Sequence, residues 1–450
     1  MKKQLLKYAN IEVPRYTSYP TAVQFHSAID ESQYRQWLGA LSASEPVSLY
    51  VHIPFCEKMC WYCGCHTNVV NGYDRISAYV DDLLHEIELI SKAGSGAIGP
   101  VTHLHFGGGS PSMLKPEDFD AIVAKLKANF SFAPNAEIAV EIDPRTVDQA
   151  KAERYAAIGV NRVSLGVQDF NEHVQLKINR IQPPEQVRQV KSWLQDAGIA
   201  AVNFDLIYGL PGQSLDDIAK SIEIALSMQP DRFAVFGYAH VPWFKKHQEM
   251  IKQEDLPDTQ LRLAQADLVA ELLVAAGYIR IGFDHYAKAD DPLGQAMRQN
   301  RVRRNFQGYT DDNCDVLIGF GASSISALPD GYVQNDPHMG KWRQAVRAGN
   351  LPIVRGLALS DDDKFRGQAI MQILSLGFLD LAAHCQAAGR ELAEFDDALA
   401  KLAPLEQDGL VKLDDNTVRV TAEGIRFSRN IAACFDVHWQ RQENRHSLAV

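Results

Sequence analysis

Short β-rich runs alternate with longer segments of helical period between residues 46 and 280, and this alternation constrains the fold most strongly. The six β-rich runs are SLYVHIPF (48–55), VTHLHFGG (101–108), EIAVEID (137–143), RVSLGVQ (162–168), AVNFDLIYG (201–209) and RFAVFGYA (232–239). Strands that alternate with helices pair in parallel, so the six units predict a parallel sheet. A closed barrel of this kind has eight units. We therefore expect an α/β fold with a partial (β/α)6 barrel.

Apolar residues at steps of three and four mark the helices that connect these strands. In the segment 75–92 one buried face is predicted from Val80, Leu83, Leu84, Ile87 and Ile90. Pro116 is typical of a first helical turn and predicts a helix that runs to Asn129. Further helices are predicted over 146–157, 184–197, 214–228 and 258–276.

The chain on either side of this alternation is expected to form additional units. We predict an N-terminal extension over 1–45 that covers the active site, followed by the barrel core over 46–280. A barrel-completing region and connector is predicted over 281–355, with 350–360 as the connecting segment. Residues 356–450 are expected to form a small, mainly helical domain with a hairpin near 409–420.

Composition excludes several classes of function. The formal charge of −11 argues against a nucleic-acid partner, because binding to phosphates requires a surplus of Lys and Arg. The chain has no apolar run of about 18 residues, so no membrane-spanning helix is expected, and its N-terminus does not resemble a signal peptide. We expect a cytoplasmic protein, in which cysteines rarely form disulfides.

Four of the seven cysteines lie within ten residues, in the sequence CEKMCWYCGC. The other three, Cys314, Cys385 and Cys434, are interpreted as small buried hydrophobic residues. Thiolates at this spacing are typical ligands of iron–sulfur clusters. A structural zinc site needs four ligands, and only Cys65 and His66 could complete one locally, in a cramped loop. Three thiolates on a [4Fe–4S] cluster leave one iron open to a ligand with an amine and a carboxylate.

Residues with chemical function follow the predicted strands, where the sites of parallel α/β proteins are located. Cys56 follows the first strand and GGG (107–109) ends the second. Glu141 and Asp143 end the third strand, Gln168 ends the fourth, and Asp205 and Tyr208 lie toward the end of the fifth.

The cysteine motif and the glycine motif together resemble those of the radical S-adenosylmethionine superfamily. More specific segments resemble the oxygen-independent coproporphyrinogen III oxidases in register over almost the whole chain. These segments are PRYTSYPTA (14–22), YVHIPFC (50–56), CGC (63–65), EIDPR (141–145), GVQDFN (166–171), FDLIYGLPGQ (204–213), DHYA (284–287) and RNFQGYT (304–310). The resemblance implies a radical-SAM partial barrel and the conversion of coproporphyrinogen III to protoporphyrinogen IX. In this reaction a 5′-deoxyadenosyl radical starts the decarboxylation of two propionates to vinyl groups.

The resemblance also implies roles for individual residues. Cys56, Cys60 and Cys63 are expected to hold one [4Fe–4S] cluster, whereas Cys65 matches a fourth cysteine that is not a cluster ligand. Cys65 and Tyr50 are the expected catalytic residues. The residues expected around the cluster-bound S-adenosylmethionine are Tyr50, Tyr62, Gly108, Glu141 and Ile325. Those expected around a second molecule of the same compound are Gly109, Ser110, Gln168, Arg180, Asp205 and Ala239.

A substrate with four carboxylates requires cationic groups in this acidic protein. The candidates are Arg15, Arg298, Arg301, Arg303 and Arg304, although the last four also fit a solvated basic surface. The expected partners are coproporphyrinogen III and a reductant such as flavodoxin or ferredoxin, with no nucleic acid and no membrane. The protein is expected to be a monomer.

Three alternatives to the oxidase are open from the sequence. Two are relatives within the superfamily, namely a haem-degrading methyltransferase and a non-catalytic haem-binding chaperone. The third is a structural zinc protein. The segments PRYTSYPTA, CGC and RNFQGYT favour the oxidase over the first two alternatives.

Overall fold

A sheet of twelve strands forms the centre of the computed structural model, which describes residues 5–440. Six of its strands follow the predicted order and pair in parallel: Val47–Ile53, Val101–Gly108, Phe132–Ile142, Arg162–Gln168, Ala201–Tyr208 and Arg232–Gly237. We call these the first to sixth strands. A seventh parallel strand, Val316–Phe320, pairs with the other side of the first strand. The predicted partial α/β barrel is confirmed, with one more parallel strand than expected.

The helices between the strands confirm the predicted pattern to within a few residues. The predicted helices span Asp74–Gly94, Pro116–Asn129, Gln149–Ala157, Pro184–Asp196, Leu215–Ser227 and Thr259–Ala275, and one short helix that was not predicted spans Glu172–Lys177. Local sequence sets where they begin. The Ser214 hydroxyl accepts from the Asp217 amide while the Asp217 carboxylate accepts from the Ser214 amide, which satisfies two donors at one helix start.

Antiparallel strands extend both edges of the sheet and leave the barrel open. His285–Ala287 and Ile279–Ile281 follow the sixth strand, whereas Ile325–Leu328, Gly331–Asn335 and Ile353–Ala358 follow the seventh. The prediction of a connector over 350–360 was therefore wrong, because most of this segment is an edge strand. A strand of six residues with an internal glycine gives only a weak alternation signal in sequence.

The two ends of the described chain pack together. N-terminal side chains that include Tyr8, Val13 and Tyr16 share an apolar cluster with the C-terminal helices. The terminal helices are Leu6–Ala9, Glu31–Gly39, Asp361–Leu376, Leu381–Ala388, Asp396–Gln407 and Ser428–Ala433. The C-terminal part also has a small sheet of Phe378–Asp380, Val411–Asp414 and Thr417–Val420, which includes the predicted hairpin. The parts of the predicted terminal units at 1–4 and 441–450 lie outside the described residues.

The remaining elements are short. They are the strands Phe55–Cys56, Asn68–Val69, Arg303–Asn305 and Gly308–Thr310 and the helices Pro292–Arg298 and Met339–Arg347. Across residues 5–440, no helix combines the length and the apolar character that crossing a bilayer demands.

The helix Asp74–Gly94 buries two acids on the face that was predicted to be apolar. Asp82 accepts hydrogen bonds from Arg343 and Arg347 on the helix Met339–Arg347. Glu86 is fully buried and accepts from the Gly321 amide at 2.6 Å, Asn335 Nδ2 at 2.5 Å and Trp342 Nε1 at 3.2 Å. Burial raises the pKa of Glu86 to about 7, against the opposing effect of these three donors.

Replacing Glu86 by Ala should destabilise the fold by about 3 kcal/mol, because three buried donors would lose their acceptor. Urea unfolding monitored by circular dichroism measures this change. The matched control on the same helix is Glu88→Ala, which removes solvent-screened ion pairs with Lys92 and Lys125 and should cost far less stability than Glu86→Ala. Equal losses for the two variants would contradict this account of Glu86.

Candidate active site

The cysteine loop, residues 56–68, is attached to the carboxyl ends of the barrel strands through its backbone. Cys56 lies in the short strand Phe55–Cys56, which pairs with Asn68–Val69 and so joins the two ends of the loop. Within the loop the Cys63 amide donates to the Cys60 carbonyl at 3.1 Å, and the Trp61 amide donates to the Ile178 carbonyl at 3.0 Å. The positions of the three thiols therefore follow from the end of the first strand.

A cavity of about 420 Å³ opens beside this loop and contains most of the predicted site residues in its wall. Those that line it are Cys56, Cys60, Tyr62, Cys63, Cys65, Gly108, Gly109, Glu141, Gln168, Arg180 and Asp205. They come from the cysteine loop, from the ends of the second to fifth strands and, for Arg180, from the loop after the helix Glu172–Lys177. The rule that function collects at the carboxyl ends of parallel strands thus describes this cavity.

Four predicted site residues do not belong to the lining of the cavity. The Tyr50 ring stacks on His105 at 5.9 Å between ring centroids, and its hydroxyl lies 3.0 Å from His52 Nδ1. Ser110 is buried, with its hydroxyl oxygen 2.9 Å from that of Ser112. Ala239 and Ile325 are half-buried behind the lining. Their roles stay predictions.

The glycine motif is required by close packing within the protein. Gly108 has φ +114°, and a Cβ atom there would lie 2.5 Å from the His52 ring. A Cβ atom on Gly109 would lie 2.4 Å from Thr67 Oγ1 and 2.7 Å from the Phe55 carbonyl oxygen. Glycine therefore lets the end of the second strand approach the cysteine loop.

Glu141 faces the cavity with two donors. His105 Nε2 lies 3.0 Å from Glu141 Oε1, and the Gly108 amide donates to Oε2 at 3.2 Å. Burial opposes ionisation of Glu141, but His105, the Gly108 amide and His52 together hold its pKa below the usual value. Burial also lowers the pKa of His52 to about 4, so this imidazole is neutral at pH 7.

Two arginines place their guanidinium groups beside Cys60. Asp143 Oδ2 accepts from Arg145 Nη2 at 2.7 Å and from Arg180 Nη1 at 3.1 Å. The same two guanidinium groups lie 3.6 Å and 3.5 Å from Cys60 Sγ. Burial opposes ionisation of Asp143, but Arg180 and Arg145 outweigh it and lower the pKa to about 2. Arg145 was missed as a site residue from sequence, although it lies in the EIDPR segment.

Comparison with known proteins identifies the family. A model of the radical SAM superfamily matches residues 50–225, and a model of the HemN C-terminal domain matches residues 359–427. The chain is 46% identical over 445 residues to an oxygen-independent coproporphyrinogen III oxidase of Bradyrhizobium diazoefficiens, covering 99% of each protein. It belongs to the oxygen-independent coproporphyrinogen III oxidase family.

A second relative and a solved structure support the same family. The oxygen-independent coproporphyrinogen III oxidase of Escherichia coli is 38% identical over 439 residues, covering 97% of this chain and 95% of that protein. The solved structure of the Escherichia coli enzyme HemN, described as a radical SAM enzyme, superposes with a TM-score of 0.90 over 96% of this chain and all of that chain. The oxidase fold therefore extends over nearly the whole described chain.

The donor set in this oxidase fits the cofactors of the radical SAM superfamily, a [4Fe–4S] cluster and S-adenosylmethionine. Across residues 5–440, three potential ligand atoms within 4.8 Å of one another occur only at His103, Asp312 and Cys314. The three thiols of Cys56, Cys60 and Cys63 are therefore not gathered as closely as the ligands of a single metal ion, whose sulfur atoms lie roughly 3.8 Å apart around zinc. In the cavity wall Arg180 Nε is buried and lacks a hydrogen-bond partner, as expected where an anionic ligand group binds.

Among the acids that line the cavity, Asp205 has the most strongly raised pKa. Ser164 Oγ and Asn203 Nδ2 both donate to its carboxylate at 2.7 Å. Burial raises the pKa of Asp205 to about 7, with a further contribution from Glu141, while Ser164 and Asn203 act in the opposite direction. The Asp205 carboxyl group therefore loses its proton near neutral pH.

This shift predicts that the free energy of unfolding falls as pH rises from about 4 to about 7. In that window the folded protein keeps a proton on Asp205 that the unfolded chain has already released. Asp205→Asn should remove this pH dependence. The difference in free energy of unfolding between the variant and the parent protein should therefore shift in favour of the variant by about 2 kcal/mol from pH 4 to pH 8. Urea unfolding of the cluster-free proteins at both pH values tests this.

The control for this experiment is Glu57→Gln, which changes an exposed carboxylate of the cysteine loop and should leave the pH dependence unaltered. Parallel stability curves for the parent protein and Asp205→Asn would contradict the raised pKa of Asp205.

Proposed function

We propose that this chain converts coproporphyrinogen III to protoporphyrinogen IX by oxidative decarboxylation of two propionates to vinyl groups, without oxygen. The observation that carries the proposal is the arrangement of Cys56, Cys60 and Cys63 beside a cavity at the strand ends, in a protein with oxidase relatives over its full length. The oxidase names of these relatives favour this reaction over haem degradation and over haem transport.

Three thiols are proposed to hold the cluster, and the protein prepares their surroundings. When bound, the cluster and S-adenosylmethionine supply the 5′-deoxyadenosyl radical by one-electron reduction of the sulfonium. Arg145 and Arg180 place guanidinium groups 3.6 Å and 3.5 Å from Cys60 Sγ. Glu141 and Asp205 offer carboxylate oxygens to the ammonium and ribose hydroxyls of S-adenosylmethionine. Gln168, with φ +68°, is held in a backbone conformation that non-glycine residues adopt rarely.

Cys65 and Tyr50 are proposed as the catalytic residues. Cys65 is in the cavity wall, and its backbone is fixed because its carbonyl accepts from Lys245 Nζ at 2.9 Å. Tyr50 is adjacent to Glu141 through the contact of both side chains with Gly107. We propose two molecules of S-adenosylmethionine per chain, the second bound by Gly109, Ser110, Gln168, Arg180, Asp205 and Ala239.

We propose that the N-terminal extension and the C-terminal unit together keep water out of the active site. Tyr16 and Tyr19 are buried, and the Tyr16 hydroxyl donates to Asp436 at 3.0 Å. Hydrogen abstraction from a propionate carbon requires a site closed to water. The further proposals are a monomer in the cytoplasm and a reductant of the flavodoxin or ferredoxin type.

Replacing Cys60 by Ala should abolish both the vinyl product and 5′-deoxyadenosine, because the cluster would lose one of its three protein ligands. The measurement is an anaerobic assay of the reconstituted protein with coproporphyrinogen III, S-adenosylmethionine and a reductant.

Cys314→Ser is the matched control, since Cys314 lies outside the cavity wall and should not affect either product. An active Cys60→Ala variant would refute the ligand assignment. Absence of both products from the reconstituted parent protein would refute the proposed function.

A further inference from the structure

Four arginines converge beside the ends of the fifth and sixth strands, and we call Arg15, Arg262, Arg304 and Arg429 the arginine cluster. Arg304 Nη2 donates to the Arg15 carbonyl at 3.5 Å, and Arg429 Nε donates to the Pro14 carbonyl at 3.0 Å. Arg262 approaches Gly237, whose carbonyl accepts from Arg15 Nη2 at 3.3 Å. Four chain segments that are distant in sequence thus bring their cations to one place.

Two members of the arginine cluster, Arg262 and Arg304, have N–H groups without acceptors. Arg304 Nε and Nη1 and Arg262 Nε are buried and have no hydrogen-bond partner. Asp284 lies 3.8 Å from Arg304 Nη1, beyond hydrogen-bond distance, and its carboxylate is 2.6 Å from His285 Nδ1. Buried guanidinium N–H groups without acceptors are costly, so these unpaired donors are suited to an anion from outside the chain.

The electrostatics of the arginine cluster agree with this geometry. Burial lowers the pKa of Arg429 to about 9, and the charges of Arg15 and Arg304 lower it further. The pKa of Arg15 is lowered by burial, although the residue keeps substantial accessible surface. Excess positive charge is concentrated here within a protein of formal charge −11.

The arginine cluster adjoins the wall of the cavity. The Arg304 guanidinium lies over the Tyr309 ring, 4.6 Å from its centroid, and Tyr309 lines the cavity. The carbonyl that Arg15 contacts belongs to Gly237, the residue after the cavity-lining Phe236. A ligand that extends from the cysteine loop across the cavity would place distal groups next to these arginines.

The backbone holds Arg15 in this position. Tyr16, the next residue, has φ +49°, which is rare outside glycine, and its side chain is 1% exposed. Its hydroxyl bonds to Asp436, so the C-terminal unit fixes the turn that directs Arg15 inward.

We propose that the arginine cluster binds propionate carboxylates of the porphyrinogen; this inference rests on the proposed function. Guanidinium forks match carboxylates in a bidentate manner, and a substrate with four propionates needs more than one of them. Arg145 and Arg180 are already paired with Asp143. Arg301 bonds to Gln299 and Arg303 pairs with Asp315, and neither these two nor Arg298 has a hydrogen bond or ion pair with a member of the arginine cluster, so these three are not assigned to the subsite. The methionine carboxylate of S-adenosylmethionine is the other possible source of the anion.

Anaerobic equilibrium dialysis of the reconstituted protein with coproporphyrinogen III, before S-adenosylmethionine is added, tests the subsite. Arg15→Gln and Arg304→Gln should each weaken binding about 10- to 100-fold, the effect of losing a charged hydrogen-bond partner. The control Arg303→Gln, next to Arg304 in sequence, should bind like the parent protein. The tetramethyl ester of the substrate should bind equally to all four proteins, because it has no carboxylates.

A second arm measures dialysis of labelled S-adenosylmethionine and turnover. The two variants should keep the parent protein's affinity for S-adenosylmethionine and its cluster absorbance, with a raised KM for coproporphyrinogen III. If the parent protein is active, either of two results would overturn the proposed subsite. One is unchanged binding of coproporphyrinogen III by both variants, and the other is a loss of affinity for S-adenosylmethionine alone. A parent protein that does not turn over coproporphyrinogen III would instead overturn the proposed function.

Discussion

The attachment of the cysteine loop to the barrel is the constraint on which the site depends. The short pairing of Phe55–Cys56 with Asn68–Val69 joins the two ends of the loop, and the Gly109 and Ser110 amides donate to the Ile53 and Phe55 carbonyls. The first and second strands thereby fix where the loop begins. Because the glycines allow this contact at van der Waals distance, the same motif that ends the second strand also positions the thiols.

Charge in the active-site region has two separate roles. Beside Cys60, Arg145 and Arg180 share the carboxylate of Asp143, which holds both guanidinium groups in the cavity wall. Beyond Tyr309, Arg262 and Arg304 keep buried N–H groups without hydrogen-bond acceptors, which is the expected state of a subsite for an anionic substrate. The N-terminal extension contributes Arg15 and the C-terminal unit contributes Arg429, so both units participate in the arginine cluster.

The sequence predicted the six central strands, their order and the collection of functional residues at their ends, because strand–helix alternation restricts topology so strongly. It did not predict the seventh strand, Val316–Phe320, because the pairing with Val47–Ile53 spans more than 250 residues without local periodicity. Arg262 and Arg429 could not be recognised either. Each lies on a helix where an arginine is usually a solvated charge, and only tertiary packing reveals that both are buried.

The central claim is that three protein thiolates leave one cluster iron open for S-adenosylmethionine. Electron–nuclear double resonance on the reduced protein with S-adenosylmethionine labelled at the amino nitrogen and carboxylate oxygen measures this contact directly. The account predicts hyperfine coupling from both labels to the cluster. A reduced cluster without coupling from either label, or a single metal ion held by four side chains, would contradict it.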